Sequence, residues 1–170
     1  GMLRSSDNGI SWEYANNGLT NLNINSFKYY SSKLYAATGE GVYCTLDNGS
    51  NWLRVSNGLP DIGINELFAG EGILFAGCSN LGIFKTTDNA MNWFEANNGF
   101  TGNTISSIIS NNEYLFAGTF YGSVVRSSDN GLNWTSINIG ITNNVIILLS
   151  KENLIFCAKK GHGNNNMYRS

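Results

Sequence analysis

An eight-residue pattern, Ser/Thr-x-Asp-x-Gly/Ala-x-x-Trp, occurs four times in this chain of 170 residues: Ser5 to Trp12, Thr45 to Trp52, Thr86 to Trp93 and Ser127 to Trp134. Trp12, Trp52, Trp93 and Trp134 follow one another at 40, 41 and 41 residues, and no other tryptophan is present. A fixed period of this length means one supersecondary unit copied along the chain, each copy burying its apolar faces on its neighbours. Asp-Asn-Gly inside the pattern is the chemistry of a tight reversal between antiparallel strands. Asn and Gly accept positive φ, and the carboxylate takes up turn N–H groups that would otherwise be orphaned. The third copy has Ala90 where the others have Gly9, Gly49 and Gly131. That turn therefore either carries a strained residue or adopts a different backbone state. The indole is expected to fold back as an apolar lid.

Between the turns the chain reads as short strands separated by Gly, Asn and Ser. The second period predicts strands at Ile24 to Tyr30, Lys33 to Thr38, Gly41 to Cys44 and Trp52 to Val55. The third predicts Ile64 to Ala69, Ile73 to Gly77, Gly82 to Thr86 and Trp93 to Ala96, and the fourth Ile105 to Ser110, Tyr114 to Gly118, Val124 to Ser127 and Trp134 to Ile137. Leu34, Leu74, Leu115 and Ile155 align, as do Tyr35, Phe75, Phe116 and Phe156. Adjacent positions point to opposite faces of a strand, so both faces are apolar, as a sheet covered on both sides requires. The fold class is all-β: a β-propeller of four-stranded antiparallel blades, about four per chain, in a single domain over residues 1–170. The blade repeats run at about 24–62, 63–103 and 104–143. The fourth is a composite of 144–170 with 2–22, one blade split between the termini, and Met167 to Ser170 is nearly a second copy of Met2 to Ser5. Three assemblies fit: one chain closing as four blades, a homodimer completing an eight-bladed ring, or part of a longer propeller.

The repeated turn resembles the Asp-box, or BNR, repeat of the sialidase-like superfamily of β-propellers, and is similar to repeats of the photosystem II assembly-factor type. The resemblance covers residues 2 to 170. It implies that Asp7 with Trp12, Asp47 with Trp52, Asp88 with Trp93 and Asp129 with Trp134 are structural clasps on the outer edge, away from any active site. It also implies that ligands bind on the opposite face, where the loops between second and third strands meet the blade-to-blade loops. Here those are Thr38 to Gly41, Ser79 to Gly82, Thr119 to Gly122, Lys159 to Asn166 and Leu59 to Asp61. A bacterial protein at the cell surface or outside the cell is the implied setting, although Met2-Leu3-Arg4 leads straight into the first turn and shows no signal peptide.

A sialidase would need an arginine cluster, a tyrosine nucleophile with a partner glutamate, and an aspartate acid/base. Arg4, Arg126 and Arg169 share one repeat position just before the turn and Arg54 follows a motif tryptophan, so none is expected in the ligand-face loops. Glu40 and Asp61 are the candidate carboxylate pair of another glycosidase, against the plainer reading of two solvated loop side chains. Phe120 and Tyr121, adjacent in a loop, suit stacking on a sugar ring or a partner protein, or plugging the channel mouth. His162, in Lys159-Lys160-Gly161-His162-Gly163, is a ligand-binding candidate whose ordinary role is an exposed loop side chain.

Ten Lys plus Arg against twelve Asp plus Glu leave no basic field for nucleic acid. No apolar run of about 18 residues offers membrane insertion as a helix. Cys44, Cys78 and Cys157 lack metal-ligand spacing, and Cys157 stands where Ala36, Ala76 and Ala117 stand, as a small buried filler. Thiols without a disulfide framework are expected, and neither metal nor cofactor is implied. The expected function is a non-enzymatic module that binds a protein or a glycan. The alternative is a glycoside hydrolase or lyase of the sialidase-like superfamily.

Overall fold

A computed structural model describes residues 1–101, 103–111, 113–137, 145–159 and 167–169. Every regular element among them is a strand. A two-stranded ladder of β1 (Leu3–Arg4) and β2 (Glu13–Tyr14) comes first. Three four-stranded antiparallel sheets follow, each in simple meander order. The first blade is β3 (Ile24–Tyr30), β4 (Lys33–Thr38), β5 (Gly41–Thr45) and β6 (Leu53–Arg54). The second is β7 (Ile64–Gly70), β8 (Ile73–Cys78), β9 (Gly82–Thr86) and β10 (Phe94–Glu95). The third is β11 (Ile105–Ser110), β12 (Leu115–Thr119), β13 (Val124–Ser127) and β14 (Thr135–Ser136). A three-stranded sheet of β15 (Val145–Lys151), β16 (Leu154–Lys159) and β17 (Met167–Arg169) closes the series.

The predicted strands are present, with one systematic difference. The fourth strand of each blade is two residues long and omits the motif tryptophan. The reason lies outside the sheet: Trp52, Trp93 and Trp134 give their backbone N–H to Asn17, Asn57 and Asn98 of the preceding repeat, at 2.9, 2.9 and 2.8 Å. The recurrent Asn-Gly segments that sequence reads as breaks are thus clamps between neighbouring blades.

The blades stack in chain order, β3 against β7, β7 against β11 and β11 against β15. Their interfaces are the core. Tyr35, Val42, Leu67, Leu74 and Trp93 fill the first interface. Phe75, Ile83, Ile105, Ile108 and Trp134 fill the second, and Phe116, Val124, Val145, Leu148 and Cys157 the third. Both aligned rows are buried in the middle blades at Leu74, Phe75, Leu115 and Phe116, whereas Leu34 and Ile155 at the two ends are half-buried. Cys157 is the buried filler its alignment predicts. The innermost strands share one irregularity: a register shift falls between Ile24 and Ser26, Ile64 and Glu66, Ile105 and Ser107, and Val145 and Ile147. Among the described residues β1 pairs only with β2, and β17 occupies the place beside β16.

Candidate functional site

The repeated turns are built alike. Asn8, Asn48, Asn89 and Asn130 all have φ between 54° and 59° or at 60°, and the next residue is also left-handed, so two consecutive positive-φ residues reverse the chain. Ala90, at φ 66°, adopts the same state as Gly131 at 71°, which resolves its turn in favour of a strained residue. Each aspartate accepts from the hydroxyl two residues earlier and from the backbone N–H four residues later. For Asp47 these are Thr45 Oγ1 at 2.7 Å and Asn51 N at 2.8 Å, with Asn51 Nδ2 donating to the second oxygen at 2.8 Å. Bonds from the residue four places on (Ser11, Asn51, Asn92, Asn133), through side chain and backbone, hold Asp7, Asp47, Asp88 and Asp129 at a pKa of about 2. Carboxylates held this firmly in the charged form accept hydrogen bonds and are poor proton donors at neutral pH.

Hairpins at opposite ends of a strand face opposite ways, so the loops between second and third strands lie on the face away from these turns. There the structure joins each such loop to a blade-to-blade connector: Gly39 N bonds Asn23 O at 3.2 Å, Ser79 N bonds Gly63 O at 2.9 Å, and Phe120 N bonds Thr104 O at 2.8 Å. Asn65, Ser79, Asn80, Thr104, Phe120 and Tyr121 line a groove of about 450 Å³ on this face. Phe120 and Tyr121 meet edge to face, ring centroids 5.6 Å apart at 89°, with Tyr121 the more exposed. Asn80 and Thr104 hydrogen-bond each other, and Ser79 Oγ donates to Asn65 Oδ1 at 3.2 Å. The groove therefore offers an aromatic wall beside fixed amides and hydroxyls.

Glu40 and Asp61 are elsewhere, and they are brought together by a residue assigned above to a different region. Arg54 Nη2 donates to the Glu40 carbonyl oxygen at 2.8 Å and pairs with the Asp61 carboxylate. Arg54 lies opposite Tyr43 in the ladder, close enough to the loop for its long side chain to span the remaining distance. The expectation that no arginine reaches the ligand-face loops is corrected accordingly. Arg4 does sit at the other edge, bonded to Asn48 O and Ser50 Oγ of the next turn, and Arg126 stacks 4.4 Å over the Tyr114 ring. His162 and most of the Lys159 to Asn166 loop lie outside the described residues.

Glu66 escaped sequence reasoning. It occupies the register position of Ser26, Ser107 and Ile147, and burial raises its pKa against the opposing effects of Lys28 and a Ser26 hydrogen bond. It lines a trough of about 400 Å³ with Lys28, Phe68, Ser107 and Ile147, formed by the innermost strands of four successive sheets. Its signal in the sequence was a lone acid at a position otherwise Ser or Ile. Among the described residues no cluster of three His, Cys, Asp or Glu is placed to hold a metal ion.

Antiparallel four-stranded blades, stacked face to face with their first strands along a common trough, define a β-propeller. No family model matches this chain, and no curated protein matches it. Solved structures do match. An ancestral GH74 enzyme superposes with a TM-score of 0.78 at 14% identity, over 100% of this chain and 28% of that one. The extracellular domain of a protein described as a hybrid two component system from B. thetaiotaomicron gives 0.74 at 13% identity, over 91% of this chain and 24% of that one. The computationally designed Ika4 protein gives 0.68 at 10% identity, over 89% of this chain and 94% of that one. The chain thus spans about a quarter of the length of the first two. The shared property is the propeller fold.

Proposed function

We propose that this chain is an Asp-box propeller module of the sialidase-like superfamily that binds a glycan, without turning it over, in the groove beside Phe120 and Tyr121. One observation carries the reading: an exposed aromatic pair stands over amide and hydroxyl groups already fixed by their own hydrogen bonds. Sugars present apolar ring faces flanked by hydroxyls, and such a wall with adjoining polar groups complements both. Among the described residues lining that groove there is no carboxylate, whereas Asp61, one of the two acid/base candidates named from sequence, is engaged by Arg54. Likeness to an extracellular domain and to a GH74 enzyme agrees with an extracellular, carbohydrate-rich setting.

A glycan array probed with the chain and with Tyr121→Ala tests this reading. Loss of the aromatic wall is expected to weaken binding by about tenfold, roughly 1.4 kcal/mol, with the melting temperature unchanged. Turnover of a chromogenic glycoside that Glu40→Gln or Asp61→Asn abolishes would replace it with the hydrolase alternative. Binding that survives Tyr121→Ala and Phe120→Ala together would place the site elsewhere.

A further inference from the structure

The two ends of the blade series carry apolar faces that the interior blades cover. Phe27, Leu67, Ile108 and Leu148 occupy one register position, opposite Ala36, Ala76, Ala117 and Cys157. Leu67, Ile108 and Leu148, each with a blade before it, are 0%, 3% and 4% exposed, whereas Phe27 is 63% exposed and Tyr29 beside it 70%. At the far end Ile147 and Leu149 are 59% and 61% exposed. The tryptophans divide the same way: Trp52, Trp93 and Trp134 are each 2% exposed and Trp12 is 62%. Isolated apolar side chains at a surface are ordinary, but two faces that repeat the pattern of covered interfaces are unfilled contacts.

Internal contacts show which residues such faces meet. Ser26 Oγ accepts from Leu67 N at 3.3 Å, and Ser107 Oγ accepts from Leu148 N at 3.1 Å. Ser26 and Ser107 stand at the position of Ile147, and Leu67 and Leu148 at that of Phe27. Continuing the series by one blade therefore sets Ile147 against Phe27, apolar on apolar. The tryptophans extend the same rule. Trp52, Trp93 and Trp134 donate from Nε1 to the carbonyl oxygens of Ala15, Val55 and Ala96, each three residues past the preceding tryptophan. The next member of that series is Ile137, whose N–H is bonded to Val124 O within its own blade. Trp12 is the indole that matches it.

We propose that the occupant of both faces is a second copy of this chain, and that two copies join head to tail at two identical seams as a ring of eight blades. At each seam Leu3–Arg4 of one copy takes the place of β17 beside β16 of the other. The two segments are alike in sequence, Met2-Leu3-Arg4 differing from Met167-Tyr168-Arg169 only by leucine for tyrosine. The ladder β1–β2 then supplies the outer half of a blade whose inner half is β15–β16, and Trp12 closes on Ile137. A second copy is favoured over an unrelated partner because the seam continues an interface the chain already makes three times, and each face is the register complement of the other.

Sedimentation and native mass measurement at micromolar concentration test the proposal. The expected species has twice the mass of one chain. Phe27→Asp and Ile147→Asp, both at exposed positions of the single chain, are expected to halve the mass while circular dichroism keeps its strand signature. Because the other three tryptophans are buried, iodide quenching reports on Trp12. It should be protected in the parent and become quenchable in Phe27→Asp. A parent protein that sediments as a single chain overturns the proposal, as does a dimer that both substitutions leave intact. Open-ended species larger than two chains overturn the closed ring.

Discussion

The indole Nε1 of Trp93 donates to the carbonyl oxygen of Val55 at 2.8 Å, so the tryptophan of one blade is fastened to the residue that follows the outer strand of the blade before it. Trp93 is 2% exposed and packs with Tyr35, Leu59 and Leu74. The motif is therefore a joint between blades, where sequence alone suggested a lid within one. Trp93→Ala should destabilise the protein by about 3–5 kcal/mol, the range for an emptied aromatic site in a core. Trp12→Ala in the Phe27→Asp background should cost under about 1 kcal/mol, because Trp12 is exposed in the single chain. Urea titrations of both variants check the contrast, and equal losses would contradict the cross-blade role.

Gly131 and Gly49 hold equivalent positions with different surroundings. A Cβ on Gly131, at φ +71°, would lie 2.8 Å from Phe75 Cε1, whereas one on Gly49, at φ +85°, would meet Ala15 Cβ at an ordinary 3.5 Å. Gly49→Ala carries the left-handed backbone cost alone, about 1–2 kcal/mol. Gly131→Ala adds overpacking of about 1–3 kcal/mol. Ala90 shows that the fold accepts the backbone cost once. A larger drop in thermal midpoint for Gly131→Ala is the expected reading.

Acid should act on the four turn aspartates late. Their folded pKa of about 2 lies below the ordinary 3.8, so their contribution is complete above about pH 4 and is lost as the pH falls towards 2. Carboxyl-carbon NMR resonances of Asp7, Asp47, Asp88 and Asp129 should titrate near pH 2. Midpoints near 3.8 would show that the turn bonds do not persist in solution.

Deleting the ends should be asymmetric. In the single chain, isolated by Phe27→Asp, residues 1–5 contribute β1, whose only ladder partner among the described residues is β2, and their loss should cost about 1 kcal/mol or less. Residues 145–170 include β15 and β16, which cover Phe116 and Val124, so their loss should cost several times as much. Thermal midpoints of the two truncations decide, and equal damage would refute the asymmetry.

How far the sequence reaches can be judged from particular residues. The spacing of the tryptophans and the Asp-Asn-Gly turns disclosed the strand series, the meander order and the apolar rows at Leu74 and Phe75, because each follows from local backbone chemistry and alternation along a strand. The groove was legible only as a loop holding Phe120 and Tyr121. Its polar partners, Asn65 from the preceding blade and Thr104 from the connector into its own, carry no local mark.

Arg54, Glu66 and Trp12 were misjudged or passed over for the same reason. Whether a side chain reaches a neighbouring loop, is half-buried beside a lysine, or lacks a blade to lie against depends on which surface faces which. Period and turn chemistry, being properties of short segments, were determined by the amino-acid order itself. The bonds between blades and the two uncovered end faces were decided by tertiary structure, since stacking alone brings residues some forty positions apart within reach of one another.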